Sequence, residues 1–485
     1  MIKRTFVACW ALCLAPLLGA QGDGPMLRIG LEADLGSPAP WDSVWTYNGK
    51  LLSNVLEPLL ALEPTGVHVQ PLLARSWRAT EGNRVFFLTL REGVRFHDGS
   101  TLSAADVVAS ARLFRGLDAR VEPAGPLAVR FTLAAPNSNF LNTLTHGRYG
   151  IASRASVERF EELRGQERLA EYVPVGTGPF RFGAWEQGRR VVMRAYPGYW
   201  QGPPSLGGLE YRVITDNKER LRALETGEID LLDVILPADL KRIEQNPDLA
   251  VQSLFGMNVC FLGLNTTLSP TSDLRVRRAL TLAIDKLDLV RRFYHGGYGV
   301  PTERVLSPAF WGMRGMPSPG SHNPERARQL LAEAGHGRGL ALRMTHVNLA
   351  RPYLPDPWGV ADAIKAQLAR IGVTVELTTD GGPVHLNLQG WVNVSGDPDY
   401  TFGSLFNGWR SQPVAQALRS ARELPIEDVA GRIRLYNEAE RLMQEEAPII
   451  PLTHTKVFMI HRRKVKGLVL FPSSYISYRS ATLAQ

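Results

Sequence analysis

Val175-Gly-Thr-Gly-Pro-Phe180 introduces two short strand-like runs, residues 180–185 and 190–195, which are separated by the polar turn Glu186-Gln-Gly188. The two glycines of this stretch can adopt backbone angles that are closed to other residues, and its proline fixes φ immediately before the apolar run. The pattern therefore predicts a tight entry into a β-hairpin. Taken alone, these residues are ordinary turn formers, because none of them is a nucleophile, a metal ligand or part of a phosphate-binding loop.

Three further stretches accompany this hairpin along the chain. They are Phe96-His-Asp-Gly-Ser-Thr-Leu-Ser-Ala-Ala-Asp-Val107, Leu274-Arg-Val-Arg-Arg-Ala-Leu-Thr-Leu-Ala-Ile-Asp285 and Gly396-Asp-Pro-Asp399. In this order and spacing the four stretches resemble the extracellular solute-binding proteins of the oligopeptide, dipeptide and nickel ABC transporters, the peptide/nickel group called family 5. The resemblance extends from about Leu27 to the C-terminus.

The resemblance implies an α/β fold of the two-lobed periplasmic-binding-protein type, class II-like (cluster C), with an extra inserted small domain. A ligand would bind between the two lobes. The expected division is a signal peptide at 1–20, lobe I at 21–62, 172–259 and about 461–485, an inserted small domain of lobe I at 63–171, and lobe II at 260–460 with hinge strands near 256–265 and 449–460.

The N-terminus has the pattern of an export signal. Lys3 and Arg4 form a positive segment, residues 6–18 are apolar, and Gly19-Ala20 supplies small residues for cleavage. The apolar run is shorter than the ~20 residues that span a bilayer. We therefore expect a cleaved signal peptide and a periplasmic protein. Removal of residues 1–20 would leave a single cysteine, so no intramolecular disulfide could form.

Length and charge restrict the class of protein further. The chain has 485 residues, more than the ~250–300 at which single hydrophobic cores stop growing, so at least two lobes are expected. The net charge is +8, or about +6 without Lys3 and Arg4, and the arginines are scattered. No basic stripe with interleaved aromatic residues indicates nucleic-acid binding. The one dense basic run, residues 461–466, is interpreted as a solvated strand edge.

Local patterns in the inserted domain predict a strand at 85–90 and a helix after it. Ser103 followed by Asp106 predicts a capping box at the start of that helix. His97 and Asp98 could be mistaken for catalytic groups. Because they lie in a hairpin ahead of the capped helix, they are interpreted as structural residues.

Patterns outside the inserted domain predict a parallel crossover and a long helix. The order strand, helix, strand over residues 211–235 favours the crossover. Residues 274–293 predict one amphipathic helix with a charged, solvated face. Cys260 lies among apolar residues, which predicts a buried and unreactive thiol.

The loop Gly390-Trp-Val-Asn-Val-Ser-Gly-Asp-Pro-Asp-Tyr400 is the most informative stretch for ligand binding. In the peptide-binding members of the family that the chain resembles, an aspartate three residues after this tryptophan pairs with the α-ammonium group of the ligand. Val394 occupies that position here. Two interpretations are open: Asp397 or Asp399 replaces the missing carboxylate, or the ligand lacks a free amine there, as metal chelates, opines, sugars and modified peptides do. The candidate ligand-binding residues of this loop are Trp391, Asn393, Asp397 and Tyr400.

Two other segments supply candidate ligand-binding residues. Trp45 and Tyr47 belong to an aromatic loop rich in Pro and Gly, which suits either ligand contact or packing on the following helix. Arg148, with its neighbour Tyr149, lies close to the place where the nickel-chelate binders use an arginine to contact ligand carboxylates. A surface arginine is the alternative interpretation of Arg148.

Motifs of catalysis were not found. The chain contains no Gly-x-Ser-x-Gly, His-Glu-x-x-His, P-loop or paired Cys-x-x-Cys motif, so no catalytic residues, metal ligands or cofactors are assigned. The sequence favours a monomeric receptor of an ABC importer that binds a peptide or peptide-like solute and delivers it to the transmembrane permease subunits. A metal-chelate binding protein of the same family is the alternative, and a periplasmic hydrolase is the less favoured one.

Overall fold

The computed structural model describes residues 24–41, 46–66, 68–310, 322–348, 350–405 and 409–484. The predicted signal peptide and the candidate residue Trp45 lie outside these ranges. Tyr47 belongs to a described helix, but its side chain is not among the described ones. Within these ranges no helix has the length and apolar composition that a membrane crossing requires.

The elements of the first 171 residues comprise a strand and a helix of the first lobe and the inserted small domain. In chain order they are β1 (Met26–Leu31), α1 (Thr46–Leu52), β2 (Leu60–Leu62), β3 (Val69–Pro71), β4 (Ala74–Thr80), β5 (Val85–Leu90), α2 (Ala104–Ala111), β6 (Ala119–Gly125), β7 (Ala128–Leu133), α3 (Phe140–Thr143) and α4 (Arg154–Leu163). The next elements complete the first lobe: β8 (Phe180–Glu186), β9 (Arg190–Ala195), β10 (Gly208–Val213), α5 (Asn217–Thr226), β11 (Leu231–Leu232), α6 (Leu240–Glu244) and β12 (Leu249–Phe255).

The second lobe follows, and the chain ends with four short strands. The elements are β13 (Asn258–Leu264), α7 (Leu274–Ala283), α8 (Lys286–Phe293), β14 (Gly299–Pro301), α9 (Pro324–Glu333), β15 (Leu340–His346), α10 (Pro357–Ala369), β16 (Val373–Leu377), β17 (Leu386–Val392), α11 (Pro398–Leu405), α12 (Gln412–Glu423), α13 (Val429–Glu446), β18 (Ile449–Arg462), β19 (Val465–Lys466), β20 (Val469–Leu470), β21 (Ile476–Ser477) and β22 (Thr482–Leu483).

Strand β18 joins the sheets of the two lobes. The described strands follow the order β16-β15-β17-β13-β18-β11-β1-β10-β9-β8, and β12 and β14 also pair with β18. The first half of β18 pairs with β13 and β14, whereas its second half pairs with β12 and β11. The chain therefore passes between the lobes twice at one place, within β18 and at the β12–β13 junction.

Asn258, the first residue of β13, forms hydrogen bonds with Thr455 of β18 at this place. Its side chain donates to the carbonyl of Thr455 at 3.1 Å and accepts from the Thr455 amide at 2.9 Å. The Thr455 hydroxyl donates to the same Asn258 oxygen at 3.0 Å. These bonds hold the start of β13 beside the middle of β18, where the two parts of the sheet meet.

The inserted small domain is a four-stranded antiparallel sheet, β4-β5-β7-β6, that packs on the first lobe. Its buried residues Phe86 and Phe131 belong to the same apolar cluster as Ile29 of β1. Phe140 of α3 packs on both rings, with centroids 4.8 and 5.3 Å apart. This packing fixes α3 against the sheet and so determines where the polar residues that flank Phe140 lie.

The loop before β8 contains glycine for a different reason from the predicted one. Neither Gly176 nor Gly178 has a positive φ, so the prediction of special backbone angles is wrong. Instead, a Cβ at Gly176 would lie 2.0 Å from the carbonyl oxygen of Val55, and a Cβ at Gly178 would lie 2.4 Å from that of Asn54. The loop lies against the end of α1 with no room for a side chain, and Gly178 donates its amide to Val55 at 3.0 Å.

We predict that Gly176→Ala lowers the free energy of unfolding by about 2–3 kcal/mol, because the added methyl group must displace backbone rather than a flexible side chain. Chemical denaturation followed by fluorescence measures the change. Gly36→Ala is the matched control, since Gly36 has no positive φ and an added Cβ would meet nothing within 4 Å. Equal stability of the two variants would contradict the close approach.

Several predicted elements are confirmed. The strands expected at 190–195 and 85–90 have the observed bounds, and the predicted capping box is present, with Asp106 accepting from the amide and the hydroxyl of Ser103 at 2.9 and 2.7 Å. Strands β10 and β11 both run parallel to β1, which lies between them, so the crossover is also confirmed. Cys260 is buried, and burial raises the pKa of its thiol to about 12.

Two predictions about the charged segments are wrong. The helix expected over 274–293 is broken into α7 and α8, because Asp285 caps α8 by accepting from the Asp288 amide at 3.0 Å. The basic run at 461–466 is not a solvated strand edge. His461 is buried in β18 between two neighbouring strands, and Lys464 forms an ion pair with Asp230 at 2.8 Å.

Candidate functional site

A cavity of about 480 Å³ lies beside the end of α1 and is lined from both lobes. The first lobe contributes Lys50 and Glu57, and the C-terminal segment contributes residues between 469 and 480. His146 comes from the inserted domain, and Val394 from the loop that follows β17 of the second lobe. The volume suits a small organic solute, since ligand pockets are typically ~300–1,000 Å³.

Glu57 forms a hydrogen-bonded corner of the cavity. Its buried carboxylate accepts from the Thr177 hydroxyl at 2.7 Å, the Tyr199 hydroxyl at 2.7 Å and the Trp200 indole N–H at 2.9 Å. Burial raises the pKa of Glu57, against these donors and the charge of Arg479, which lower it. Thr177 belongs to the loop at residues 175–180 that precedes the β8–β9 hairpin. This loop therefore positions one wall of the cavity.

Apart from Tyr199 and Tyr475, the other ionisable residues of the described cavity wall are Lys50, His146 and Arg479. His146 accepts a hydrogen bond at Nδ1 from the Arg148 amide at 2.9 Å. Burial lowers the pKa of His146 to about 3, and the charge of Arg148 lowers it further, so the ring is neutral at pH 7. The positive charges on the cavity wall therefore come from Lys50 and Arg479.

Asn393 organises the loop that carries Val394. Its buried side chain donates to the carbonyl of Asp397 at 2.6 Å and to the Thr401 hydroxyl at 2.9 Å, and it accepts from the Gly396 amide at 3.0 Å. These bonds close the turn before α11. They leave Val394 on the cavity wall, while the amide of Asn393 is engaged inside its own loop.

Asp397 and Asp399 both pair with arginines of the second lobe. Asp397 is buried, forms an ion pair with Arg432 and accepts from the Tyr436 hydroxyl at 3.1 Å. Burial raises the pKa of Asp397, and the charge of Arg432 lowers it. Asp399 accepts from Arg422 at 3.0 and 3.1 Å. In this conformation neither carboxylate faces the cavity, so a direct ligand contact by Asp397 stays a prediction without geometric support.

The inserted domain touches the second lobe directly. Asn139 donates to the Tyr436 hydroxyl at 2.8 Å and accepts from Arg432. Asn142 donates to the carbonyl of Ser395 at 3.2 Å. A second group of bonds reaches the end of α12, where Asn83 Nδ2 donates to the carbonyl of Leu424 at 2.7 Å and the Ser138 amide donates to that of Arg422 at 2.9 Å. The lobes are thus closed on each other by hydrogen bonds that need no ligand.

We predict that Asn83→Gly shifts the unliganded protein toward an open arrangement by about fivefold, the equivalent of ~1 kcal/mol for one lost hydrogen bond. Glycine is the appropriate replacement because Asn83 has a φ of 66°. Glu81→Gly, in the same turn with a φ of 50°, is the matched control. Energy transfer between dyes on the two lobes measures the distribution, and an unchanged distribution in Asn83→Gly would contradict a role of this contact in closure.

Four of the candidate residues, Arg148, Tyr149, Trp391 and Tyr400, lie close to one another. The rings of Trp391 and Tyr400 have centroids 5.6 Å apart, and the indole N–H of Trp391 is buried without a hydrogen-bond partner among the described residues. Burial raises the pKa values of Tyr149 and Tyr400, and the charge of Arg148 lowers both. Arg148 therefore lies near both tyrosines, one from each lobe. Ligand contacts by these four residues remain predictions.

The sequence analysis did not identify a set of charged residues at the carboxyl ends of the parallel strands. Glu32 directly follows β1, and Asp233 follows β11. Burial raises the pKa of Glu32, the charge of Asp233 raises it further, and the charges of Arg220, Lys50 and Arg351 lower it. Arg351 belongs to the second lobe, so this group also spans both lobes. The signal was available, because ligands of open α/β sheets bind beyond the carboxyl ends of parallel strands.

The described residues contain no group of three or more His, Cys, Asp or Glu side chains that could hold a metal ion. The arrangement instead offers a cavity between lobes, charges of both signs and aromatic walls. These features suit reversible binding of a small polar solute.

Comparisons with known proteins agree with this geometry. Residues 68–413 match the family described as bacterial extracellular solute-binding proteins, family 5, middle region. The chain is 28% identical over 454 residues to the dipeptide-binding protein of Escherichia coli K12, covering 83% of this chain and 84% of that protein. It is 26% identical over 487 residues to the glutathione-binding protein GsiB of the same strain, covering 92% of each. The solved structure of HbpA2 from Haemophilus parasuis superposes with a TM-score of 0.81 at 26% identity, covering 95% of this chain and all of the other.

Proposed function

The chain belongs to the bacterial extracellular solute-binding proteins of family 5, and on that premise we propose that it is the periplasmic receptor of an ABC importer. The receptor holds a peptide or peptide-like solute between its two lobes. It acts as an exported monomer and delivers the solute unchanged to the transmembrane permease subunits.

The observation that carries this proposal is the cavity lined by both lobes. A solute in that cavity touches Val394 of the second lobe as well as Lys50 of the first. Contacts with both lobes exist only when the lobes are closed, so the solute shifts the population toward the closed state. Rotation occurs at the hinge around Asn258 and Thr455, and the closed form is the one that the permease recognises.

A peptide-like solute suits the charges at the interface between the lobes. Glu32 and Asp233, beyond the carboxyl ends of β1 and β11, can pair with an ammonium group, and Lys50 on the cavity wall can pair with a carboxylate. Two relatives, the dipeptide-binding and glutathione-binding proteins, support the same class of ligand. The metal-chelate alternative lacks a comparable observation among the described residues.

Identification of the ligand that co-purifies tests the proposal. The full chain is exported to a bacterial periplasm, purified and recorded by native mass spectrometry with and without a chelator. Adducts that are peptides or peptide conjugates, recovered unchanged after incubation, support the receptor. An adduct that chelator removes identifies a metal-chelate binder, and conversion of the adduct into products identifies a hydrolase. A ligand-free protein that also binds no member of a dipeptide and tripeptide panel in calorimetry would contradict the peptide proposal.

A further inference from the structure

The charges on the cavity wall do not balance. Four residues of the described wall have side chains that ordinarily can carry a charge near neutral pH: Lys50, Glu57, His146 and Arg479. Glu57 already accepts three hydrogen bonds from protein groups, and His146 is neutral at pH 7 because burial lowers its pKa. The two cations are therefore the wall groups with side-chain donors to offer a ligand, although the charge of Lys50 also acts on Glu32 and that of Arg479 on Glu57.

Lys50 is half-buried at the C-terminal end of α1, and its charge also acts on the carboxylate of Glu32 beyond the end of β1. Arg479 approaches from the segment between β21 and β22 and is exposed, and its charge acts on Glu57 and Tyr475 of the same wall. Two cations from distant parts of the chain thus converge on one cavity. A cavity with low-dielectric walls strengthens their combined field.

Among the described residues of this wall, the second lobe contributes no group that would favour a cation. Its contribution to the wall is Val394, which is apolar. The carboxylates in the same loop, Asp397 and Asp399, are paired with Arg432 and Arg422. An ammonium group seated against Val394 would face two positive charges and would lose its hydration without a partner, which is costly.

We propose that the solute presents an anionic group, a carboxylate or a phosphate, to this cavity, where Lys50 and Arg479 hold it against Val394. This inference rests on the proposed receptor function and names the class of solute: an acidic peptide-like molecule whose end in this cavity carries no free amine. Arg479 can grip either anion with two parallel hydrogen bonds, and Lys50 acts as a point charge.

The test compares ligands that differ only at the end predicted to enter the cavity. Ala-Ala, N-acetyl-Ala-Ala and N-succinyl-Ala-Ala carry a positive, a neutral and a negative group there, and N-acetyl-phosphoseryl-alanine supplies a phosphate. Protein freed of co-purified ligand is titrated with each compound by calorimetry at pH 7.4. We expect succinyl or phosphoseryl compounds to bind at least tenfold tighter than Ala-Ala, with the acetyl compound between them. The tighter of the two anionic compounds identifies which anion the cavity takes.

Variants separate charge from shape. Lys50→Gln and Arg479→Gln are each expected to weaken the preferred anionic compound about five- to tenfold while changing the affinity for N-acetyl-Ala-Ala less than twofold. Val394→Asp should weaken the anionic compound at least tenfold relative to Val394→Asn, which has the same size without the charge. Arg189→Gln removes one charge from the exposed β8–β9 turn and is the control for net charge. Unchanged melting temperatures verify that each variant is folded.

The outcomes distinguish this inference from the receptor proposal. Tightest binding of Ala-Ala, or unaltered affinity of the anionic compounds in the Lys50→Gln/Arg479→Gln double variant, overturns the inference and leaves the receptor intact. If none of the four compounds binds, the co-purified adduct decides: one with an anionic group whose affinity falls in both variants supports the inference, and any other adduct overturns it. Absence of both binding and adduct overturns the receptor proposal as well.

Discussion

Replacement of Arg432 by methionine is expected to lower the free energy of unfolding by about 3–5 kcal/mol, because it leaves the carboxylate of Asp397 buried without its charge partner. Both side chains are almost completely buried, at 5% and 2% exposure. The Tyr436 hydroxyl, at 3.1 Å, would remain as a neutral donor and could not offset a full charge. Thermal and urea-induced unfolding of the purified protein, followed by circular dichroism, measures the loss.

Arg441→Met is the matched control for this substitution. Arg441 lies on the same helix, α13, and pairs with Glu438 at 2.6 Å and with Glu445, but its side chain is half exposed. Exposed ion pairs contribute roughly 0–1 kcal/mol, so this variant should stay close to the wild type. A loss below ~1 kcal/mol in Arg432→Met would contradict the assignment of a buried ion pair.

A double substitution tests whether the loss of stability in Arg432→Met comes from the unpaired charge of Asp397. Arg432→Met combined with Asp397→Asn removes both charges, and an uncharged pair of similar volume avoids the cost of an isolated buried carboxylate. We expect the double variant to be more stable than Arg432→Met alone. The same variants should open the lobes more readily, because Arg432 also donates to Asn139 of the inserted domain.

Glu57→Ala is expected to lower the free energy of unfolding by about 3–4 kcal/mol, since three buried donors lose their acceptor at once and each orphaned group costs roughly 1–3 kcal/mol. The donors belong to Thr177, Tyr199 and Trp200, which come from two separate parts of the first lobe. The estimate lies below the sum of three such costs because the neighbouring cavity admits water to some of the donors. Urea-induced unfolding measures the change.

Two further variants, one that removes a single donor and one at an exposed carboxylate, provide the comparison for Glu57→Ala. Thr177→Val removes one of the three donors and should cost about 1 kcal/mol, the net value of a single hydrogen bond. Glu92→Ala, at a carboxylate that is 75% exposed, should change the stability by less than ~0.5 kcal/mol. If Glu57→Ala costs no more than Glu92→Ala, the carboxylate does not hold this wall of the cavity together.

The sequence determined the features that depend on neighbours along the chain. Strand β9 and the capping box of Ser103 and Asp106 follow from side-chain periodicity and from hydrogen bonds that span three residues. Four motifs in order were also sufficient to indicate the family, because each motif is a local turn or helix start. The loop at 390–400 was recognised in the same way, and the apolar residue at Val394 could be read directly from the chain.

Only the tertiary structure decided which of these residues act together. Gly176 is required by the carbonyl of Val55, more than a hundred residues earlier, and no local pattern encodes that approach. Asp397 is a candidate ligand contact from its loop alone, and only the fold shows that Arg432 and Tyr436 of α13 pair with its carboxylate. The helix over 274–293 has continuous periodicity, yet the capping carboxylate of Asp285 breaks it.

Lys50 and Arg479 lie at opposite ends of the chain, and their convergence depends on how the C-terminal segment folds back over the end of α1. The physical reason is common to these cases: charge balance, desolvation and steric exclusion depend on distances in space, which a linear pattern specifies only between residues within a few positions of each other.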